Sequence, residues 1–169
     1  MPHQLVCDLP PNQKKTTLDC WNSYHALPQD SHASEATSFV TEWGTYRYKR
    51  APQGFHASGD AYTRRTDDIV REITDKRKCI DDTLLYKTDL EQLYWHTIKY
   101  IDPCSRAGII FNPDKFVFGK EELDFAGFTL TKDGFKPMNN TLQAISNFPT
   151  PRNITDIRSF FGLVEQVAY

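Results

Sequence analysis

Two adjacent carboxylates, Asp81 and Asp82, stand between the short apolar runs Cys79-Ile80 and Leu84-Leu85-Tyr86, and no other stretch restricts the fold as much. β-Favouring residues on either side of a short polar break read as a tight hairpin with the Asp pair at or beside its turn. Two like charges held side by side in a half-buried hairpin raise each other's pKa unless a cation lies between them. Hard carboxylate oxygens are what Mg²⁺ or Mn²⁺ binds, so a divalent ion is the natural cation. A solvated turn carries the same dipeptide, and Asp67-Asp68, set in a helical pattern, reads as a wet helix face.

The 169 residues suit one domain with a buried core. An apolar share of 39% with 13% aromatics excludes a disordered chain. A net charge of −2 excludes a globally basic nucleic-acid binder and leaves room for a local basic patch. The four cysteines, Cys7, Cys20, Cys79 and Cys104, lack the paired spacing of zinc or redox motifs. They read as reduced thiols of an intracellular protein, cytoplasmic or nuclear. No signal peptide is read at the start, and no apolar run approaches the roughly 18 residues that span a bilayer, so no membrane partner is expected.

In chain order, residues 1–17 read as irregular because Pro10-Pro11 favours extended backbone. Residues 16–21 read as a strand with Asp19 near its end, and residues 22–28 as a turn or short helical segment. Residues 37–41 and 45–50 read as a hairpin closed by Glu42-Trp43-Gly44. Alternation puts Tyr46 and Tyr48 on one face of it, Arg47 and Lys49 on the other, as a core-facing side opposite a solvated one or as a phosphate-binding strip. Ser58 is expected to cap a helix running to about Thr74, with Tyr62, Ile69 and Ile73 inward. A second helix is expected over residues 90–107, apolar along Leu90, Leu93, Tyr94, Ile98 and Ile101, with Pro103 kinking it or ending it early. Residues 109–111 read as a strand, 115–119 and 123–130 as a hairpin, and 141–148 as a short helix. Asn153-Ile154-Thr155-Asp156 opens a capped helix still in register at Tyr169. The strand–helix–strand–strand–helix–strand core predicts an α+β fold of split βαβ type, an antiparallel sheet with helices packed on one face. In such a sheet the strand of Asp19 can lie beside the Asp81-Asp82 hairpin.

Taken in order, Leu18-Asp19-Cys20-Trp21-Asn22-Ser23-Tyr24-His25, Arg50-Ala51-Pro52-Gln53-Gly54-Phe55 and Cys79-Ile80-Asp81-Asp82 resemble successive motifs of a reverse transcriptase palm. Gly108-Ile109-Ile110-Phe111-Asn112-Pro113-Asp114-Lys115, Asp124-Phe125-Ala126-Gly127-Phe128, Asn147-Phe148-Pro149-Thr150-Pro151 and Arg158-Ser159-Phe160-Phe161-Gly162-Leu163 carry the likeness over nearly the whole chain. Together they resemble the pol polyprotein of gypsy-class LTR retrotransposons. The resemblance implies a polymerase palm with a remnant of fingers over residues 1–148, then a linker and the first helix of a thumb or connection region over 149–169. The implied activity is RNA-directed DNA synthesis, with an RNA or DNA template, its primer and deoxynucleoside triphosphates as partners.

In-line phosphoryl transfer rests on positioning and charge neutralisation. By the resemblance, Asp19 and Asp81 hold two Mg²⁺ (or Mn²⁺) ions about 4 Å apart, Asp82 supports them, and the backbone carbonyl of Cys20 adds a ligand. Tyr24 matches the aromatic gate that crowds a ribose 2′-hydroxyl, and Gln53 a residue that contacts the incoming nucleotide. Lys115 matches a lysine near the triphosphate that can act as general acid, and Phe125-Ala126-Gly127 the hairpin that grips the primer end. Lys14-Lys15, Lys76-Arg77-Lys78 and Arg47, Lys49 and Arg50 are candidate phosphate contacts, which would make binding salt-sensitive. Cys79 departs from the family, standing where an aromatic residue is usual. Only 18 residues precede Asp19, where the family has a fingers region that clamps the triphosphate, and the thumb is barely begun. The isolated chain is therefore expected to be weak or inactive, and a non-catalytic remnant that binds nucleic acid or only folds is the alternative. The palm faces are expected to expose apolar patches.

Overall fold

A computed structural model describes residues 2–168. Along the chain run β1 (Lys14–Asp19), α1 (Ser31–Ala36), β2 (Ser38–Thr41), β3 (Gly44–Arg47), α2 (His56–Ile69), β4 (Lys76–Cys79), β5 (Asp82–Lys87) and α3 (Leu90–Arg106). They are followed by β6 (Val117–Lys120), β7 (Leu123–Phe125), β8 (Phe128–Leu130), β9 (Phe135–Pro137), α4 (Asn139–Ser146) and α5 (Ile154–Glu165). Short 3-10 turns lie at Pro2–Leu5, Ser23–Ala26 and Pro113–Lys115.

The principal sheet is antiparallel in the order β4-β5-β1-β6, which is the expected split βαβ arrangement. Its centre is β5, whose near-continuous apolar run is buried on both faces. Leu85 joins Leu18, Val70, Ile73, Leu93 and Tyr100 on one side. Leu84 and Tyr86 join Phe125, Phe128 and Leu130 on the other, as period-2 geometry requires. α2 and α3 supply the first layer. The second is a small three-stranded sheet, β7-β8-β9, that covers the opposite face of the principal sheet. Leu85 is fully buried, so Leu85→Ala is expected to lower stability by about 2–5 kcal/mol in a urea titration. A loss below about 1 kcal/mol would contradict this packing.

Several boundaries differ from expectation, each for a local reason. β1 starts at Lys14, inside the stretch read as irregular, because Lys14 and Lys15 pair with Lys87 and Tyr86 of β5. α1 was not foreseen; Asp30 caps it, accepting the Ala33 N–H at 2.7 Å. The β2–β3 hairpin is closed by Glu42-Trp43 alone, and its aromatic side does not face the core. Phe39 packs on Tyr46 and Tyr48 at centroid distances of 6.0 and 5.3 Å, and all three stay exposed. Ser58 is no cap: α2 begins two residues earlier and buries it. That helix stops at Ile69 rather than Thr74, although Val70 and Ile73 keep helical spacing and reach the core from the turn that follows.

α3 runs through Pro103 to Arg106, and its inward face is Leu93, His96, Thr97, Tyr100 and Cys104, while Leu90, Tyr94 and Ile98 remain exposed. The buried polar groups on this face have acceptors or partners there. Thr97 donates to the Leu93 carbonyl at 2.7 Å, and the Tyr100 and Thr83 hydroxyls meet at 2.9 Å. Residues 109–111 form no strand beyond a single bridge from Phe111 to Cys20. β6 does not pair with the 123–130 segment; it is the edge of the principal sheet beside β1, and 123–130 folds as its own hairpin. The short helix expected over 141–148 is α4, shifted to begin at Asn139 just after β9. The last helix opens at Asn153 as expected, with its side chain accepting the Asp156 N–H at 2.9 Å, and ends at Glu165; Tyr169 lies outside the described residues. It packs on α4 with Phe160 5.3 Å from Phe148.

His96 is buried with Nε2 3.4 Å from the Asp75 carbonyl oxygen. Burial, aided by the Lys87 charge, pushes its pKa below the ordinary imidazole value. The folded state thus binds this proton less readily than the unfolded one, whose pKa is about 6.5. The contribution to stability is complete above that pH and is lost as pH falls below it, levelling beneath the folded-state pKa. His96→Gln is expected to flatten the fall in stability below about pH 6.5 relative to wild type; an unchanged slope would contradict it.

Candidate active site

Register brings the carboxylates together. Asp19 ends β1 directly opposite Asp82, the first residue of β5, and Asp82 also pairs with Cys79 across the β4–β5 turn. That turn is Ile80-Asp81, with Ile80 in the left-handed region at φ 55°, an uncommon and strained conformation for a β-branched residue. Its position is tied to β1 by the Cys20 N–H, which donates to the Asp81 carbonyl at 3.1 Å. The Asn112 N–H donates to the Asp19 carbonyl at 2.8 Å, drawing the 3-10 turn of Lys115 to the same place.

Asp19, Asp82 and Lys115 line one cleft of about 800 Å³. Lys115 Nζ donates to Asp19 Oδ2 at 3.0 Å, which holds the Lys115 pKa above its usual value, first through that hydrogen bond and then through the Asp19 charge. Asp82 is pushed above the usual carboxylate range by burial, then by its hydrogen bond to Asp19 and the Asp19 charge. Asp81 does not line this cleft. Its Oδ1 is buried without a hydrogen-bond partner, and its charge acts on the hydroxyls of Tyr24 and Tyr62. Among the described residues, no three His, Cys, Asp or Glu side chains are gathered as one ligand cluster. The three carboxylates therefore share one end of the sheet, Asp19 and Asp82 lining the cleft and Asp81 at the adjoining turn, its charge felt by Asp82 and Lys115.

Phe125, Ala126 and Gly127 line the same cleft. Phe125 is buried, and Ala126 (φ 51°) and Gly127 (φ 87°) are both left-handed, as a two-residue hairpin loop of type I′ demands. Tyr24 lies on the 3-10 turn after β1, edge-on to Tyr62 at 5.8 Å, and burial raises its hydroxyl pKa. Cys20 is half-buried, and burial pushes its thiol up to about 11, so the thiol stays protonated. Gln53 sits in an exposed turn away from the lining of the cleft.

Much of the expected basic surface is taken up inside the fold. Lys14 pairs with Glu121, Lys78 with Asp67 at 2.6 Å, and Arg77 lies over the Tyr86 ring at 5.5 Å. Lys76 donates to the Ile73 carbonyl, and Arg47 pairs weakly with Glu35 at 3.6 Å. Lys15 is only 2% exposed, and its ammonium donates to the carbonyls of Gln13, Glu121 and Thr131 at 3.1, 2.7 and 3.0 Å. That cage fastens β1 to both ends of the β7–β8 hairpin. Burial lowers the Lys15 pKa.

Sequence reasoning took Lys15 for a phosphate contact and Ser58 for a cap, whereas both are buried; Tyr62, read as inward, is inward. Ser58 and Tyr62 share a face of α2; the Ser58 hydroxyl is buried without a hydrogen-bond partner, and the Tyr62 hydroxyl meets the Cys20 thiol. Their i, i+4 spacing with an inward Tyr was the available signal for burial of Ser58. The four cysteines are free thiols, as read. No helix among the described residues is long and apolar enough to cross a membrane.

The site is thus an antiparallel sheet of split βαβ order with two carboxylates facing each other across adjacent strands. The profile of the reverse transcriptase (RNA-dependent DNA polymerase) family matches residues 2–130, and the chain belongs to that family. It is 30% identical over 150 residues to the retrovirus-related Pol polyprotein from transposon gypsy of Drosophila melanogaster, covering 88% of this chain and 14% of that protein. With the Pro-Pol polyprotein of Simian foamy virus type 1 it shares 27% over 150 residues, 89% of this chain and 13% of that one. The gypsy-class likeness read from the motifs holds, and the chain spans about a seventh of the length of these relatives. Among solved structures, the foamy viral protease-reverse transcriptase in complex with dsDNA superposes with a TM-score of 0.90 at 24% identity, over 98% of this chain and 29% of that one. The same protein with an RNA/DNA hybrid gives 0.85 at 24%, over 94% and 22%. The fold is that of a polymerase palm.

Proposed function

We propose that this domain is the palm of an RNA-directed DNA polymerase, extending a primer on an RNA or DNA template from deoxynucleoside triphosphates. The observation that carries the reading is the pairing of Asp19 with Asp82 across β1 and β5, with Asp81 at the adjoining turn and the Phe125-Ala126-Gly127 loop on the same cleft. The duplexes in the foamy viral structures support a nucleic-acid partner.

The residues suit a divalent cation. Asp81 carries a buried oxygen with no hydrogen-bond partner. The cleft places the carboxylates of Asp19, Asp82, Glu122 and Asp124 against the ammoniums of Lys115 and Lys120, so a polyanion enters only with added positive charge. Asp19, Asp81 and Asp82 would hold Mg²⁺ or Mn²⁺, with the Cys20 carbonyl as a further oxygen ligand. Held there, such ions would supply charge neutralisation at the attacking 3′-oxygen and the leaving pyrophosphate. Tyr24 crowds the ribose 2′-hydroxyl and selects deoxynucleotides, and Gln53 contacts the incoming nucleotide. Lys115 holds a proton beside Asp19 where the leaving phosphate can take it. Phe125, Ala126 and Gly127 hold the primer end, and residues 149–169 begin a further helical region.

The test is Mg²⁺- or Mn²⁺-dependent primer extension on an RNA template, wild type beside Asp81→Asn. Extension by the 169 residues alone is expected to be slow, since few groups in the cleft can position a triphosphate. Extension abolished by the substitution supports the reading. Extension indifferent to it would overturn it, and so would template–primer binding without extension by a folded protein that binds neither metal, in favour of a non-catalytic binding domain.

A further inference from the structure

A second cleft, of about 680 Å³, shares no lining residue with the carboxylate cleft. Trp21, His25, Arg50, Arg65 and Ile110 are among its walls, and no carboxylate is. That is a marked local excess of positive charge in a chain with 22 acidic residues against 20 Lys and Arg. Its apolar shelf is equally unusual for a surface, because Trp21 is 50% and Ile110 66% exposed, side by side. The main-chain N–H of Trp21 donates to the Ile110 carbonyl at 2.8 Å, which holds these two stretches of backbone together beside the basic wall. Both guanidiniums are steadied by main-chain oxygens. Arg65 donates to the Ala107 carbonyl at 2.9 Å and Arg50 reaches the Ala26 carbonyl at 3.5 Å. A guanidinium has five N–H donors in a fork that matches phosphate oxygens, so these single anchors orient the group and use little of its capacity.

An exposed indole suits a stacked base, and guanidiniums beside it suit phosphate. We propose that this cleft binds a nucleotide unit without a metal, its base on Trp21 and its phosphates between Arg50 and Arg65. The carboxylate cleft needs divalent ions to admit phosphate; this one does not. The same chemistry is offered by a free nucleoside polyphosphate and by an unpaired strand end.

The purified chain, titrated calorimetrically in EDTA at low salt with ATP, inorganic pyrophosphate and a short oligodeoxyadenylate, distinguishes these. ATP is expected to bind, with Arg50→Gln weakening it about tenfold. Trp21→Leu should weaken ATP and leave pyrophosphate unchanged, and Asp81→Asn should leave both unchanged. A free nucleotide is the ligand if the oligonucleotide binds no tighter than ATP. A strand is the ligand if it binds tighter and Arg50→Gln reduces its salt slope by about one. Arg50 is exposed, so its substitution leaves folding intact, and Arg65→Gln keeps a donor for Ala107. The proposal is overturned if the folded protein binds neither ATP nor the oligonucleotide in EDTA, or if binding ignores both Arg50→Gln and Trp21→Leu. It is also overturned if binding needs Mg²⁺ and is lost in Asp81→Asn. None of these outcomes bears on primer extension, so the polymerase reading stands or falls separately.

Discussion

Asp19→Asn is expected to cut primer extension by about two to three orders of magnitude while leaving the protein folded. Asparagine keeps the shape of the side chain, and the strand is fixed by main-chain bonds that the substitution does not touch, including the Asn112 N–H to the residue-19 carbonyl. What is lost is charge at the one position that meets both Asp82 and Lys115. Removing that charge also relieves the repulsion that raises Asp82, so the metal-free variant should be at least as stable as wild type. Loss of extension with unchanged or higher stability is the predicted pair of results, measured by single-nucleotide incorporation beside thermal unfolding. Loss of both would mean that Asp19 is a structural residue.

Lys15→Met carries the second large effect, and it is a matter of folding. The three carbonyls of Gln13, Glu121 and Thr131 lose their shared donor, and a partly buried acceptor left unpaired costs about 1–3 kcal/mol where water cannot reach it. Because Lys15 is buried, methionine fills the space without restoring any of these bonds. A loss of about 3–5 kcal/mol in urea is expected, with faster amide exchange across β7–β9, the sheet the ammonium fastens to β1. A loss under about 1 kcal/mol would show that water replaces the ammonium.

The parts of this molecule that could be read in its sequence were those set by neighbours along the chain. The Asp81-Asp82 turn sits between runs that read as strands, and the helix cap at Asn153 lies next to the apolar pattern it opens. The pairing of the Asp19 strand with that hairpin followed from the split βαβ order. Pairings between distant segments were not legible. Nothing local in 117–120 says that its partner is β1, about a hundred residues away, rather than the adjacent 123–125. Lys15, whose type suggests water, was misread because its carbonyl cage makes burial tolerable, and the inward His96 and Thr97 of α3 lay outside the apolar pattern that was read. Apolar residues on the same helix, Leu90, Tyr94 and Ile98, were displaced outward by them. At the candidate site, the gathering of Asp19, Asp82, Lys115 and the Phe125-Ala126-Gly127 loop was legible, but Gln53 lies outside the cleft lining, and Asp81 and Asp82 have different surroundings despite adjacency.

Direct Mn²⁺ binding, followed by electron paramagnetic resonance on the folded protein, tests the central claim that Asp19, Asp81 and Asp82 form one divalent-ion site. Wild type is predicted to bind Mn²⁺ competitively with Mg²⁺, and Asp19→Asn and Asp81→Asn each to lose that binding while staying folded. Mn²⁺ binding that survives both substitutions, or none by folded wild type at millimolar metal, would contradict the account.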